Sequence, residues 1–268
     1  MYSFNYVKVK SLKEAGELLA AHPDAKLLGG GMTLLPTMKA RLAQPSHLID
    51  IAGLAELTGI AEKAGKLVIG AATRHYEVAG SGVVKQMIPA LAYLASLIGD
   101  PQVRNLGTMG GSVANNDPAA DYPAAVLALG ATVITTRREI AADDFFQGMF
   151  ATALEPDEIV TRLSFPIPKR AAYAKFPHPA SGYAMAGVFV ADTADGVRVA
   201  VTGAGPGVFR WPEAEAALAK QLNAAVLGGL NLAADDLNED LHAPREYRAN
   251  LVRVMAKQAV ATLQGSKK

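Results

Sequence analysis

Three consecutive glycines at the end of a short, mostly apolar run (25–28) carry the clearest chemical potential in this sequence: Leu28-Gly29-Gly30-Gly31-Met32-Thr33-Leu34-Leu35-Pro36. Glycine reaches backbone angles closed to other residues and lets the chain approach a ligand closely. Successive exposed N–H groups before a helix form a concave anion site, and a phosphate or pyrophosphate is its natural guest. The plain alternative is a strand-to-helix turn. A second cluster, Gly107-Thr108-Met109-Gly110-Gly111-Ser112, is followed closely by Asn115, Asn116, Asp117 and Asp121. Two such nests on separate segments suit a ligand with two phosphates and a long polar middle, and a dinucleotide such as FAD fits that description. Here the alternative is a tight turn, with Asn116 or Asp117 capping a helix over 118–129 that has Pro118 in its first turn. Asp121 falls inside that expected helix. A contact with a ligand hydroxyl suits it better there than a capping role.

Neither cluster is a standard nucleotide fingerprint. No Gly-x4-Gly-Lys-Ser/Thr occurs, and the first cluster is not Gly-x-Gly-x-x-Gly. Gly203-Ala204-Gly205-Pro206-Gly207 reads as a turn at a strand end. The absence of cysteine excludes disulfides, thiolate zinc sites, cysteine nucleophiles, cysteine-held iron–sulfur clusters and a cysteine-tethered flavin. His22, His47, His75, His178 and His242 are scattered without metal-ligand spacing and read as surface or loop residues. With 26 basic and 25 acidic side chains the net charge is +1, which gives no reason to expect nucleic acid. No apolar run reaches the roughly 18–20 residues of a membrane span. The first residues lack the charged-then-apolar order of a signal peptide, so the expected location is the cytoplasm, with peripheral attachment at the inner membrane face compatible.

The elements that must position the clusters follow from periodicity. A helix is expected over 33–42 with Thr33 as N-cap, then strands over 48–51 and 66–69. Helices are expected over 88–98 and 122–129, then strands over 132–136 and 158–165, the last stopped by Pro166. Residues 166–170 read as a linker. Beyond it, strands over 184–191 and 197–202 form a hairpin across 192–196, and helices follow over 212–222 and 245–263.

Taken together, several stretches resemble the medium, FAD-binding subunits of the carbon monoxide dehydrogenase and xanthine dehydrogenase-type molybdenum hydroxylases. They are LGGGMTLLPTMKARLAQPSHLIDI (28–51), GDPQVRNLGTMGGSVANNDPAADYPAAVLALGATV (99–133), EIVTRLSFP (158–166), GYAMAGVFV (182–190) and LHAPREYRANL (241–251). The resemblance covers nearly the whole chain. The combination Gly-Asp-Pro-Gln-Val-Arg-Asn-x-Gly-Thr-x-Gly-Gly-Ser is far more specific than either glycine cluster alone.

The resemblance implies an α+β fold. A two-subdomain, vanillyl-alcohol oxidase-like FAD-binding domain would span 1–170, divided into about 1–55 and 56–170. A small domain of a three-stranded sheet with helices would span 171–268. It also implies cofactor contacts. Leu28, Gly29, Gly30, Gly31, Met32, Thr33, Leu34 and Leu35 would form one pyrophosphate motif, and Thr108, Met109, Gly110, Gly111 and Ser112 the other. Asp121 matches an acid that contacts FAD, Ile98 and Val160 match apolar lining positions, and Lys175 matches a basic residue near the cofactor. Tyr183 falls where an aromatic meets the isoalloxazine. Met32 and Thr33 depart from the usual polar residue and serine but keep a main-chain N–H and a hydroxyl. The implied partners are a large molybdenum-cofactor subunit and a small subunit with [2Fe–2S] clusters, in a dimer of heterotrimers. FAD is expected to be held without a covalent bond, and the acceptor is left open between a quinone, NAD and oxygen. A free-standing flavoenzyme of this fold and a flavin-free scaffold are the competing readings.

Overall fold

The structure is a computed structural model that describes residues 1–265. Residues 266–268, the end of the expected second domain, lie outside the described residues. The chain opens with β1 (Asn5–Lys8), α1 (Leu12–Ala21), β2 (Lys26–Leu28), α2 (Leu34–Lys39) and β3 (His47–Asp50). The three strands form a parallel sheet with β3 in the middle. Ser11 Oγ accepts the Glu14 N–H at 3.2 Å while the Glu14 carboxylate accepts the Lys10 N–H, which fixes the start of α1. Ala15 and Leu19, four residues apart, then bury one helix face in the same core as Ile49.

α2 is shorter than the expected 33–42. It ends because Arg41 takes a left-handed φ of 62°, with Leu42 N–H bonded to Thr37 O and Arg41 N–H to Met38 O. Thr33 stands at the N-cap position, but its backbone is helical and its side chain caps nothing.

The middle of the chain supplies β4 (Ile60–Lys63), β5 (Lys66–Gly70), α3 (His75–Gly80), α4 (Gly82–Met87), α5 (Pro89–Ser96), α6 (Pro101–Leu106), α7 (Met109–Asn115) and α8 (Tyr122–Ala128). β6 (Thr132–Thr135), β7 (Glu139–Ala141), α9 (Ala142–Phe145) and β8 (Val160–Pro166) complete it. Its five-stranded antiparallel sheet has the order β4-β5-β8-β6-β7. The helix expected over 122–129 is α8, the alternative start at Pro118 is not taken, and Asp117 accepts the Ala119 N–H in a local turn instead of capping a helix. All seven residues of α8 are buried.

Across residues 167–169 the chain enters β9 (Arg170–Pro177), β10 (Ala184–Thr193), β11 (Gly196–Thr202), β12 (Phe209–Arg210), α10 (Pro212–Lys220) and α11 (Arg245–Gly265). The two strands expected here are β10 and β11; β9 makes the third that the resemblance implies, and two-residue β12 adds a fourth at the edge of this antiparallel sheet. Alternation along the strands sorts their side chains between two cores. Tyr173, Phe189 and Ala200 join the middle core under α8, whereas Val188, Val190 and Val201 join Trp211, Val252, Met255 and Ala259 beneath α11. Burial on both faces is why β10 reads as a continuous apolar run.

Candidate functional site

The two glycine turns touch. An added β-carbon at Gly30 would lie 2.1 Å from the Leu106 carbonyl oxygen and 2.7 Å from Gly107 Cα, and one at Gly29 would lie 3.2 Å from Thr108 Oγ1. Only the bare glycine backbone lets the segments meet this closely. Gly31 takes a φ of 70°, and a β-carbon there would lie 2.9 Å from the Leu35 side chain and 3.0 Å from that of Leu28. Among the described residues, the main-chain N–H groups of Gly29, Gly30, Gly31, Met32, Thr33 and Leu34 donate to no protein acceptor. A run of unsatisfied donors in one turn is the local requirement for an anion.

The second turn behaves differently. Gly107 N–H donates to Val103 O, Met109 to Thr73 O, Gly110 to Ala71 O, Gly111 to Thr108 Oγ1 and Ser112 to Thr108 O. Most of its donors are therefore spent within the protein, Thr108 N–H alone having no acceptor among the described residues, and it serves as a close-fitting wall beside the first turn. Gly110 is packed so tightly that a β-carbon would come within 2.5 Å of that of Ala71. Met109 is fully buried in the middle core.

A cleft of about 480 Å³ runs along these turns, within the usual range for small-molecule sites. Its walls include Gly29, Gly30, Gly31, Met32, Thr33, Leu34, Ile98, Thr108, Gly110, Gly111, Ser112, Asp121, Val160 and Tyr183. Leu28, Leu35 and Met109 are not among the residues that line it. Lys175 also lies off the cleft: its ammonium donates to Asp121 Oδ2 and to Leu97 O, each at 2.9 Å, and its side chain is 2% exposed. Tyr173 donates to the other Asp121 oxygen at 2.5 Å. Burial pushes the Asp121 carboxyl upward from the usual carboxylate range, against the pull of the Lys175 ammonium and the Tyr173 hydroxyl.

The wall at 117–121 is held from the C-terminal sheet. The buried Thr202 hydroxyl donates to Ala120 O at 2.6 Å, with Pro118 O 3.1 Å away. Gly203 N–H donates to Pro118 O and Ala184 N–H to Ala119 O. These bonds explain why 118–120 is not helical. Tyr183 precedes β10 rather than lying in a strand, and burial, then Asp117, Asp100 and Asp121, raises its phenol pKa.

Sequence reasoning missed several wall residues. His75 is not a surface residue: it is 4% exposed, begins α3 and lines the cleft. Its Nδ1 has no hydrogen-bond partner among the described residues. Burial, followed by the nearby Arg104 charge, lowers its pKa to about 4, so the ring is neutral. Asn115 and Asp117, noted beside the second cluster, line the cleft, and so do Lys26, Thr37, Ala71, Phe150 and Ile159. No periodicity marks them, because strands and turns far apart in sequence bring them together.

Residues 2–168 match the family described as the FAD binding domain in molybdopterin dehydrogenase. The chain is 37% identical to the carbon monoxide dehydrogenase medium chain of Hydrogenophaga pseudoflava over 277 residues, covering 96% of each. It is 35% identical to the nicotine 6-hydroxylase medium subunit of Paenarthrobacter nicotinovorans over 276 residues, again covering 96% of each. Among solved structures it superposes on a chain of reconstituted CO dehydrogenase from Oligotropha carboxidovorans with a TM-score of 0.93, at 34% identity, covering 99% of both.

Proposed function

Because this chain belongs to the family of FAD-binding subunits of molybdopterin dehydrogenases, we propose that it is the electron-transfer medium subunit of a molybdenum hydroxylase complex. The observation that carries this reading is the seam at Gly30, where a row of unspent N–H donors faces a cleft closed by a second glycine turn. Those donors suit the diphosphate of FAD, with Thr33, Ser112 and Asn115 offering polar side chains along the same cleft. Ile98, Val160 and Tyr183 supply apolar and aromatic walls for a ring system. Asp121, Lys175 and Tyr173 fix the turn beside it, so Lys175 acts through Asp121 and not by contact. When bound, FAD supplies the redox chemistry, and the protein supplies orientation and the electrostatic surroundings.

The chain contains no cysteine and can hold no iron–sulfur cluster by thiolates. Electrons are therefore assigned to arrive from [2Fe–2S] clusters of a small partner subunit, with the molybdenum cofactor in a large one. They leave through FAD to a quinone, NAD or oxygen. The two relatives named above differ in substrate while resembling this chain almost equally, which fits substrate selection by the large subunit.

The test is reconstitution of the purified chain with FAD. Visible flavin absorption that survives gel filtration and is released by acid denaturation is expected, since no covalent tether is invoked. A protein that stays colourless contradicts the reading. Affinity purification from the native host should recover one large and one small, cysteine-rich chain. Turnover of that complex with each acceptor in turn identifies the physiological one.

A further inference from the structure

Phe150 sits in a conformation that side-chain-bearing residues avoid. Its φ is 54°, it is 58% exposed, and it nevertheless lines the cleft. A bulky residue in the left-handed region points to a constraint worth its conformational cost. The same short segment buries Phe145 completely, so the exposure of Phe150 does not reflect a lack of nearby core.

The loop that presents it is pinned. Asn116, buried and itself left-handed with a φ of 45°, caps the C-terminus of α7. Its Nδ2 donates to Gly148 O at 2.7 Å and to Ala151 O at 2.8 Å, and its carbonyl accepts the Phe150 N–H at 3.1 Å. Gln147 N–H to Ala151 O and Ala151 N–H to Gly148 O close the turn. Gly148, at a φ of 119°, supplies the other unusual angle. Phe150 is thus held rigidly, tied to the end of α7 remote from the second glycine turn. The seven residues of that helix span about 10 Å. A ligand whose phosphates lie at the glycine seam would extend a planar ring over such a distance.

We propose that Phe150 is a fixed platform on which one planar ring of the bound dinucleotide stacks. Aromatic side chains stack on any base because every base presents a π face. The adenine and the isoalloxazine share that chemistry. The inference rests on the FAD reading above, and its test separates the two.

Phe150→Gly and Phe150→Asn suit the left-handed backbone and remove the ring; Phe150→Tyr keeps it. Thermal melts of the apoproteins should show the Gly and Asn variants no less stable than the parent. Their affinity for FAD, titrated by flavin fluorescence, should fall by roughly five- to a hundredfold, the range expected for loss of one aromatic stack. The Tyr variant should bind like the parent. Titration with ADP identifies the ring: an equal loss assigns adenine, and unchanged ADP binding with weakened FAD assigns the isoalloxazine. Parental FAD affinity in both folded Gly and Asn variants overturns the proposal and leaves the FAD reading standing. A parent chain that binds no FAD overturns both.

Discussion

The tightest constraint in the molecule is at Gly30, where the space for a β-carbon is already filled by the Leu106 carbonyl oxygen and Gly107. Both obstacles are backbone, so neither can swing aside. Gly30→Ala is expected to cost about 1–3 kcal/mol, as for other overpacked sites, and to open the seam. Flavin-to-protein ratio and melting temperature should fall together. His75 makes a separate prediction. Its pKa in the folded chain, about 4, is below the ordinary 6.5. The unfolded chain therefore binds more protons between these values, and the native state loses stability as pH falls from about 6.5 towards 4. The loss is on the order of 3 kcal/mol at most. His75→Gln should flatten that part of the curve in urea melts taken across the pH range.

At the scale of elements, the decisive piece is the stretch between α7 and α8. Its carbonyls are claimed by Thr202, Gly203 and Ala184, and its acid by Tyr173 and Lys175. Thr202→Val keeps the shape but leaves Ala120 O without its short hydrogen bond. A loss of about 1–3 kcal/mol in denaturant titration is expected, with weaker FAD retention. Lys175→Met strands a buried carboxylate and should cost about 3–5 kcal/mol. Combining it with Asp121→Asn should recover much of that loss, because no buried charge then lacks a partner. A double variant as unstable as the sum of its parts would show the pair to be uncoupled.

At the scale of the whole molecule, the matched FAD-binding region ends at residue 168, but its core does not. Tyr173, Phe189, Ala191 and Ala200 complete the cluster that buries α8. A chain cut after residue 168 would expose that apolar helix and release the wall at 117–121. It is expected to aggregate or stay partly unfolded, and to retain no FAD, as size-exclusion chromatography and flavin absorption would report. A monodisperse, yellow fragment would mean that the C-terminal sheet is dispensable to the site.

The sequence alone determined the features that depend on neighbouring residues. The glycine turns, the bulk of the strands and helices and the family resemblance were legible because backbone freedom and hydrophobic period are local properties. Tertiary structure decided what depends on residues far apart. It spent most donors of one glycine turn on Val103, Ala71, Thr73 and Thr108 and left those of the other open. It held 118–120 out of a helix that its local sequence favours, because the β10–β11 end of another sheet offered partners to the carbonyls. It also turned Lys175 away from the cleft and brought His75 and Phe150 to it. A residue's surroundings there include chain segments as far off as the 84 positions between Thr202 and Pro118, and no local pattern encodes such a pairing.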